Sequence, residues 1–149
     1  MTLYYEDITL NQPDRLGPFA LTEEGIIEFA AIWDPLPLHT ANDYAGKTSY
    51  GKVIASGFHL LAICQKLFIE QYPMAVEIGL GLDEVRFISP GLPGDLLTLE
   101  IKAISMRESR SNPAVGIVTH SSRLLTQDDR TVLTYKGTGM IEKRERFTG

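Results

Sequence analysis

The longest apolar stretch of the chain begins just past Gly57, where Leu60-Leu61-Ala62-Ile63 is followed by Leu67-Phe68-Ile69, with Gln65, Lys66, Glu70 and Gln71 confined to the later part. The spacing predicts a helix over residues 57–72, and a helix apolar nearly all round at its start is expected to be buried nearly all round. Upstream, Ile26, Ile27, Ala30 and Trp33 share one face of a second helix over residues 22–33. Thr22 stands at its N-cap, and Glu23 and Glu24 lie in the first turn, where the helix dipole favours acids. Pro35 and Pro37 then remove backbone donors and push the residues before them toward extended geometry, so residues 34–39 are expected as a stiff loop.

After the apolar helix the period changes. Leu97, Leu99 and Ile101 alternate with Thr98, Glu100 and Lys102, as in a sheet with one buried face. Strands are predicted over residues 76–88, 96–106, 114–125 and 131–141, joined as an antiparallel meander through turns at 89–95 and 127–130 and a solvated connection at 107–112. Short strands near residues 3–8 and 16–21 would complete the sheet. One apolar helix followed by antiparallel strands points to an α+β layer in which a curved sheet wraps the helix. No repeat or linker divides residues 1–149, so one domain is expected.

Composition narrows the function. At 149 residues and 44% hydrophobic content the chain has material for one core, and a net charge of −5 argues against a nucleic-acid partner, which needs clustered Lys and Arg. Residues 1–10 lack the basic-then-apolar pattern of an export signal, and no apolar run approaches the roughly 18 residues that span a bilayer. A cytoplasmic protein without a membrane partner is expected. The single cysteine, Cys64, rules out an internal disulfide, and its apolar neighbours make it a core residue rather than a nucleophile.

Among three histidines, only His39 has an unusual setting: it lies on the proline-stiffened loop five positions after Asp34, close enough for the two side chains to converge. By spacing alone, capping or surface polarity is the more ordinary explanation of such a pair. His59 and His120 are expected to be packing or surface residues. Ala55-Ser56-Gly57 opens the apolar helix, where free backbone N–H groups and the positive dipole end could stabilise an oxyanion, although by itself an ordinary Ser N-cap is the more usual explanation.

Together, Phe29-Ala30, Asp34, Pro37-Leu38-His39, Tyr44-Ala45 and Val53-Ile54-Ala55-Ser56-Gly57 resemble the hydratase motif of the MaoC-like dehydratases, which include the (R)-specific enoyl-CoA hydratases. Pro90 to Asp95 resembles the Pro-x-x-x-Gly-Asp turn of that family. Leu36 stands where the family usually has Asn, and Ser56 where many members have His. The resemblance implies a hot-dog fold and a hydratase or dehydratase acting on a 2-enoyl or 3-hydroxyacyl thioester of CoA or acyl-carrier protein, with no cofactor beyond the thioester and no metal. It implies that Asp34 activates water toward C3, that His39 assists and exchanges the proton at C2, and that Gly57, with Ser56, binds the thioester oxygen. It also implies a homodimer. Lys47, Lys52 and Arg86 are candidates for the CoA phosphates. A hot-dog thioesterase and a non-catalytic acyl-binding or regulatory subunit are the alternatives, because fold alone does not decide function.

Overall fold

The computed structural model describes residues 1–145 and contains one antiparallel sheet curled around one long helix, the α+β hot-dog arrangement expected. In chain order, a 3₁₀ turn (Tyr5–Asp7) precedes β1 (Asp14–Ala20), α1 (Glu23–Trp33), the one-turn helices α2 (Pro37–Thr40) and α3 (Asn42–Ala45), and the long α4 (Gly57–Gln71). Strands β2 (Val76–Phe87), β3 (Leu96–Glu108), β4 (Val115–Leu125) and β5 (Thr131–Glu142) follow. Alternation in β3 works as expected: Leu97, Leu99 and Ile101 are buried and join Leu60, Ile63 and Leu67 of α4 in the main core. Thr22 caps α1 by accepting from the Gly25 N–H at 3.0 Å.

Three expectations need correction. The residues near 3–8 form no strand. Asp7 accepts from the Tyr4 N–H at 2.9 Å and closes a turn instead, and Tyr5 packs over Gly116, on whose bare Cα it rests. The sheet is also not a simple meander, since its order is β1-β3-β4-β5-β2 and β2 lies at the far edge, paired with β5. From there to β3 is three strand spacings, about 14 Å, which the connection at residues 88–95 spans easily at roughly 3.3 Å per residue. That connection therefore passes over the N-terminal end of α4. Finally, α4 is not buried all round: Phe58 is 65% exposed and Ile69 55%, because the sheet covers only one side of the helix.

The 88–95 connection is tightly held. Gly94 adopts φ +93°, a conformation favourable only to glycine, and the buried Asp95 carboxylate accepts from the Leu92 N–H. Arg130, from the β4–β5 turn, donates to the Ser89 hydroxyl, the Pro90 carbonyl and Asp95 at 2.7, 2.7 and 2.9 Å. So clamped, the connection offers the Gly91 carbonyl to the Ala55 N–H at 2.9 Å. This contact sets where α4 begins.

Candidate active site

Asp34 is the residue at which α1 stops. Its N–H still bonds the Ala30 carbonyl at 2.9 Å, but its φ of −157° is extended, and the Leu36 N–H returns to the Asp34 carbonyl at 2.8 Å around Pro35. Proline suits this three-residue turn because its fixed φ lies close to the value the turn requires. His39 lies in α2, a single turn started by Pro37, rather than in open loop. Leu36, 55% exposed, holds the segment through its backbone alone, accepting from the His39 N–H at 2.9 Å.

The two side chains meet. His39 is buried, its Nδ1 lies 2.7 Å from the Ile54 carbonyl, and its Nε2 lies 3.5 Å from Asp34 Oδ2. A carbonyl only accepts, so Nδ1 carries a proton, and Nε2 faces the carboxylate. With Nε2 unprotonated, its lone pair and Asp34 Oδ2, 3.5 Å apart, form a seat for a group with hydrogens to give to both. The fully buried Ser56 donates its hydroxyl to Asp34 Oδ2 at 2.7 Å and accepts from the Phe58 N–H at 3.2 Å. Its hydroxyl thus supports the carboxylate and caps α4, and its proton is not directed at a thioester oxygen.

Gly57 occupies the first position of α4, where backbone N–H groups lack partners within the helix and the dipole is positive. The Phe87 ring of β2 lies over it, so that a side chain at position 57 would run into the ring. Among the phosphate candidates, Lys47 and Lys52 are exposed on the segment between α3 and Val53, the side from which Ile54 pairs with Leu38. Arg86 is elsewhere: it alternates with Phe87, so its guanidinium faces away from α4 and donates to the Val85 carbonyl. Phe87 and the Ile54 carbonyl were not foreseen. A backbone carbonyl leaves no mark in residue type, and an aromatic at the end of a strand, as Phe87 is in β2, is an ordinary feature of a sheet.

Two further titratable groups on α4, Cys64 and His59, are buried. Burial pushes the Cys64 thiol up to about 12, leaving it unreactive near neutral pH. His59 stacks on Phe29 at 4.5 Å, and burial lowers its pKa. Among the described residues no three His, Cys, Asp or Glu side chains are grouped to hold a metal ion, and no helix is long and apolar enough to cross a membrane.

The chain is similar in sequence and fold to known proteins. The family model described as MaoC like domain matches residues 8–124. An uncharacterized Bacillus subtilis protein, YdeM, is 28% identical over 134 residues, covering 89% of this chain and 92% of its own. The MaoC-like dehydratase from Rhodospirillum rubrum superimposes with a TM-score of 0.88 at 29% identity, covering 95% of this chain and 98% of that one. The (R)-hydratase from A. caviae involved in PHA biosynthesis gives 0.73 at 26% identity, covering 93% and 98%.

Proposed function

Because the chain belongs to the MaoC like domain family, we propose that it is an acyl-thioester hydratase or dehydratase, adding water to a 2-enoyl thioester or removing it from the 3-hydroxyacyl product. The observation that carries this reading is the pair of converging acceptors, the His39 Nε2 lone pair and the Asp34 carboxylate, 3.5 Å apart and braced from behind by Ile54 and Ser56. A water seated between them donates one hydrogen to each and presents a lone pair to C3. Asp34 takes the proton as the C3–O bond forms, and the electron pair of the double bond moves toward the thioester carbonyl. The Gly57 N–H, at the positive end of α4, stabilises the enolate oxygen. The single proton that Asp34 takes passes to His39 Nε2, 3.5 Å away, and from there to C2, so the water ends as the C3 hydroxyl and the C2 hydrogen, and the reverse path gives dehydration. In this reading residues 1–149 act as one domain, Lys47 and Lys52 meet the phosphates of CoA or of an acyl-carrier prosthetic group, and two copies associate.

The test is turnover of 2-enoyl-CoA substrates from crotonyl to decenoyl by the parent, Asp34→Asn and His39→Ala. Asn keeps the size of Asp and an acceptor for Ser56 but removes the basic carboxylate. Both variants should fold and lose about 10²–10⁴ in kcat. The double variant should be barely slower than the worse single one, since the two residues act as a unit. Free thiol without loss of enone would make the protein a thioesterase instead, and near-parental hydration by Asp34→Asn would defeat the assignment.

A further inference from the structure

Strand β2 is irregular just before it reaches the start of α4. Leu82 and Asp83 lie opposite Gly137 and Lys136 of β5, but Arg86 and Phe87 lie opposite Thr134 and Leu133, so β2 uses one residue more than its partner over the same span. The irregularity is a β-bulge at Glu84, whose φ of +52° is one that side chains rarely adopt and whose carboxylate pairs with Lys136 at 3.0 Å. The bulge decides which way Phe87 points. Leu82 faces α4 across a space it shares with Leu61 and Phe68, and in a regular strand the residue five positions later would face the opposite way. With the extra residue taken up at the bulge, Phe87 also faces α4, opposite the fully buried Leu133. The chain is held beyond it as well, where the Ile88 N–H donates to the Val132 carbonyl at 2.8 Å and the Ser89 hydroxyl to the Thr131 carbonyl at 2.6 Å.

So aimed, Phe87 rests on Gly57. The tip of its ring, Cε1, Cζ and Cε2, fills the place where a side chain at position 57 would begin. An oxygen accepting from the Gly57 N–H at about 2.9 Å puts the thioester carbon about 4 Å from that nitrogen, with C2 one bond further. Asp34 reaches the start of α4 from α1 through Ser56, the residue before Gly57, whereas Phe87 reaches it from the sheet. The acyl group is therefore bounded by the Asp34–His39 pair on one side and by the ring on the other. A flat enoyl group fits such a slot, and so does a methyl group lying in its plane. The demand changes when C2 takes its proton from the pair. The carbon becomes tetrahedral, and its other substituent bends away from the pair toward the ring, where a hydrogen has room and a methyl group does not. A bulge that holds a non-glycine residue at positive φ beside a site is a device for aiming a side chain.

We propose that Phe87, aimed by the Glu84 bulge, is a specificity-determining residue that restricts this chain to acyl thioesters unbranched at C2. The inference rests on the thioester reading above, but its first test does not depend on turnover. Dissociation constants of butyryl-CoA and of the two separate enantiomers of 2-methylbutyryl-CoA are measured by calorimetry for the parent, Phe87→Ala and Phe87→Leu. One enantiomer turns its methyl group to the ring and the other to the catalytic pair. The parent should therefore bind both about tenfold or more weakly than butyryl-CoA, the usual worth of one misplaced methyl group. Phe87→Ala should recover about tenfold for one enantiomer and leave the other weak, with Phe87→Leu in between. In turnover, the kcat ratio of tiglyl-CoA to crotonyl-CoA should rise about tenfold in Phe87→Ala while the ratio of their KM values changes little, because the clash arises only as C2 becomes tetrahedral. The ring is 56% exposed, so its loss takes little from the core. Should Phe87→Ala still fail to fold, Phe87→Leu supplies the same comparison. A merely structural role would lower every rate in proportion to the folded fraction and leave the ratios where they are. Unchanged ratios in both variants, equal binding of all three ligands by the parent, or equal recovery of both enantiomers would overturn the inference. Enantiomer-selective recovery without hydration would keep the Phe87 assignment and discard the hydratase reading. Hydration of crotonyl-CoA without that recovery would do the reverse.

Discussion

Ser56 joins two functions in one hydroxyl. It caps the helix that presents Gly57 and donates to the carboxylate paired with His39, two residues brought together across 22 positions of sequence. Removing that hydroxyl leaves the Asp34 carboxylate short of a donor in a half-buried setting and uncaps the Phe58 N–H. Ser56→Ala should therefore lower stability by about 1 kcal/mol in a denaturant titration. It should also lower kcat by roughly tenfold on the basis of one lost charge-assisted hydrogen bond. KM should change less, because Ser56 positions Asp34 and its hydroxyl is not aimed at the substrate. A fall in KM-limited rate with unchanged kcat would place the hydroxyl on the thioester instead.

Among the elements, the 88–95 connection decides most about the site. It spans the gap between sheet edges, meets the start of α4 through Gly91 and Ala55, and takes its shape from Arg130 and the buried Asp95. Arg130→Met removes the donors that satisfy the Asp95 carboxylate and leaves a charge in a pocket where it is 11% exposed. A loss of about 3 kcal/mol or more is expected on the usual cost of breaking a buried pair. Asp95→Asn, which still accepts from Leu92, should cost less. Urea midpoints for the two variants test the order. A smaller loss for Arg130→Met than for Asp95→Asn would show that the connection does not depend on the ion pair.

At the scale of the whole molecule, one side remains apolar and open. Ile78, Leu80 and Leu82 of the edge strand β2 are each about half exposed, and so are Phe87 of the same strand and Phe58 of α4. An unpaired apolar edge strand is a template for another strand, and burying it against the same strand of a second copy satisfies a two-fold interface. Sedimentation equilibrium at micromolar concentration should give twice the monomer mass. Ile78→Glu with Leu80→Glu should shift that mass to the monomer while the helical and strand signals in circular dichroism persist. A parent that sediments as a monomer would count against the interface.

Local chemistry determined the parts of this protein that depend on neighbours in the chain. Proline chemistry stopped α1 at Asp34, Thr22 capped its start, and alternation in β3 named the buried Leu97, Leu99 and Ile101, because each follows from residues within a few positions of one another. The motif from Phe29 to Gly57 likewise pointed to the family, and to Asp34 and His39 as partners, since its order along the chain is itself the signal. The tertiary structure decided what distant segments do to each other. The crossing of β2 to the far edge depends on where α4 lies, which no local period encodes. The same packing turned the Ser56 proton to Asp34, faced Arg86 away from the site, and set Phe87 over Gly57. Periodicity also could not tell a helix face covered by its own sheet from one left open like that of Phe58, because both are apolar for the same reason: each is suited to leaving water, and only the three-dimensional arrangement shows what is there to cover it.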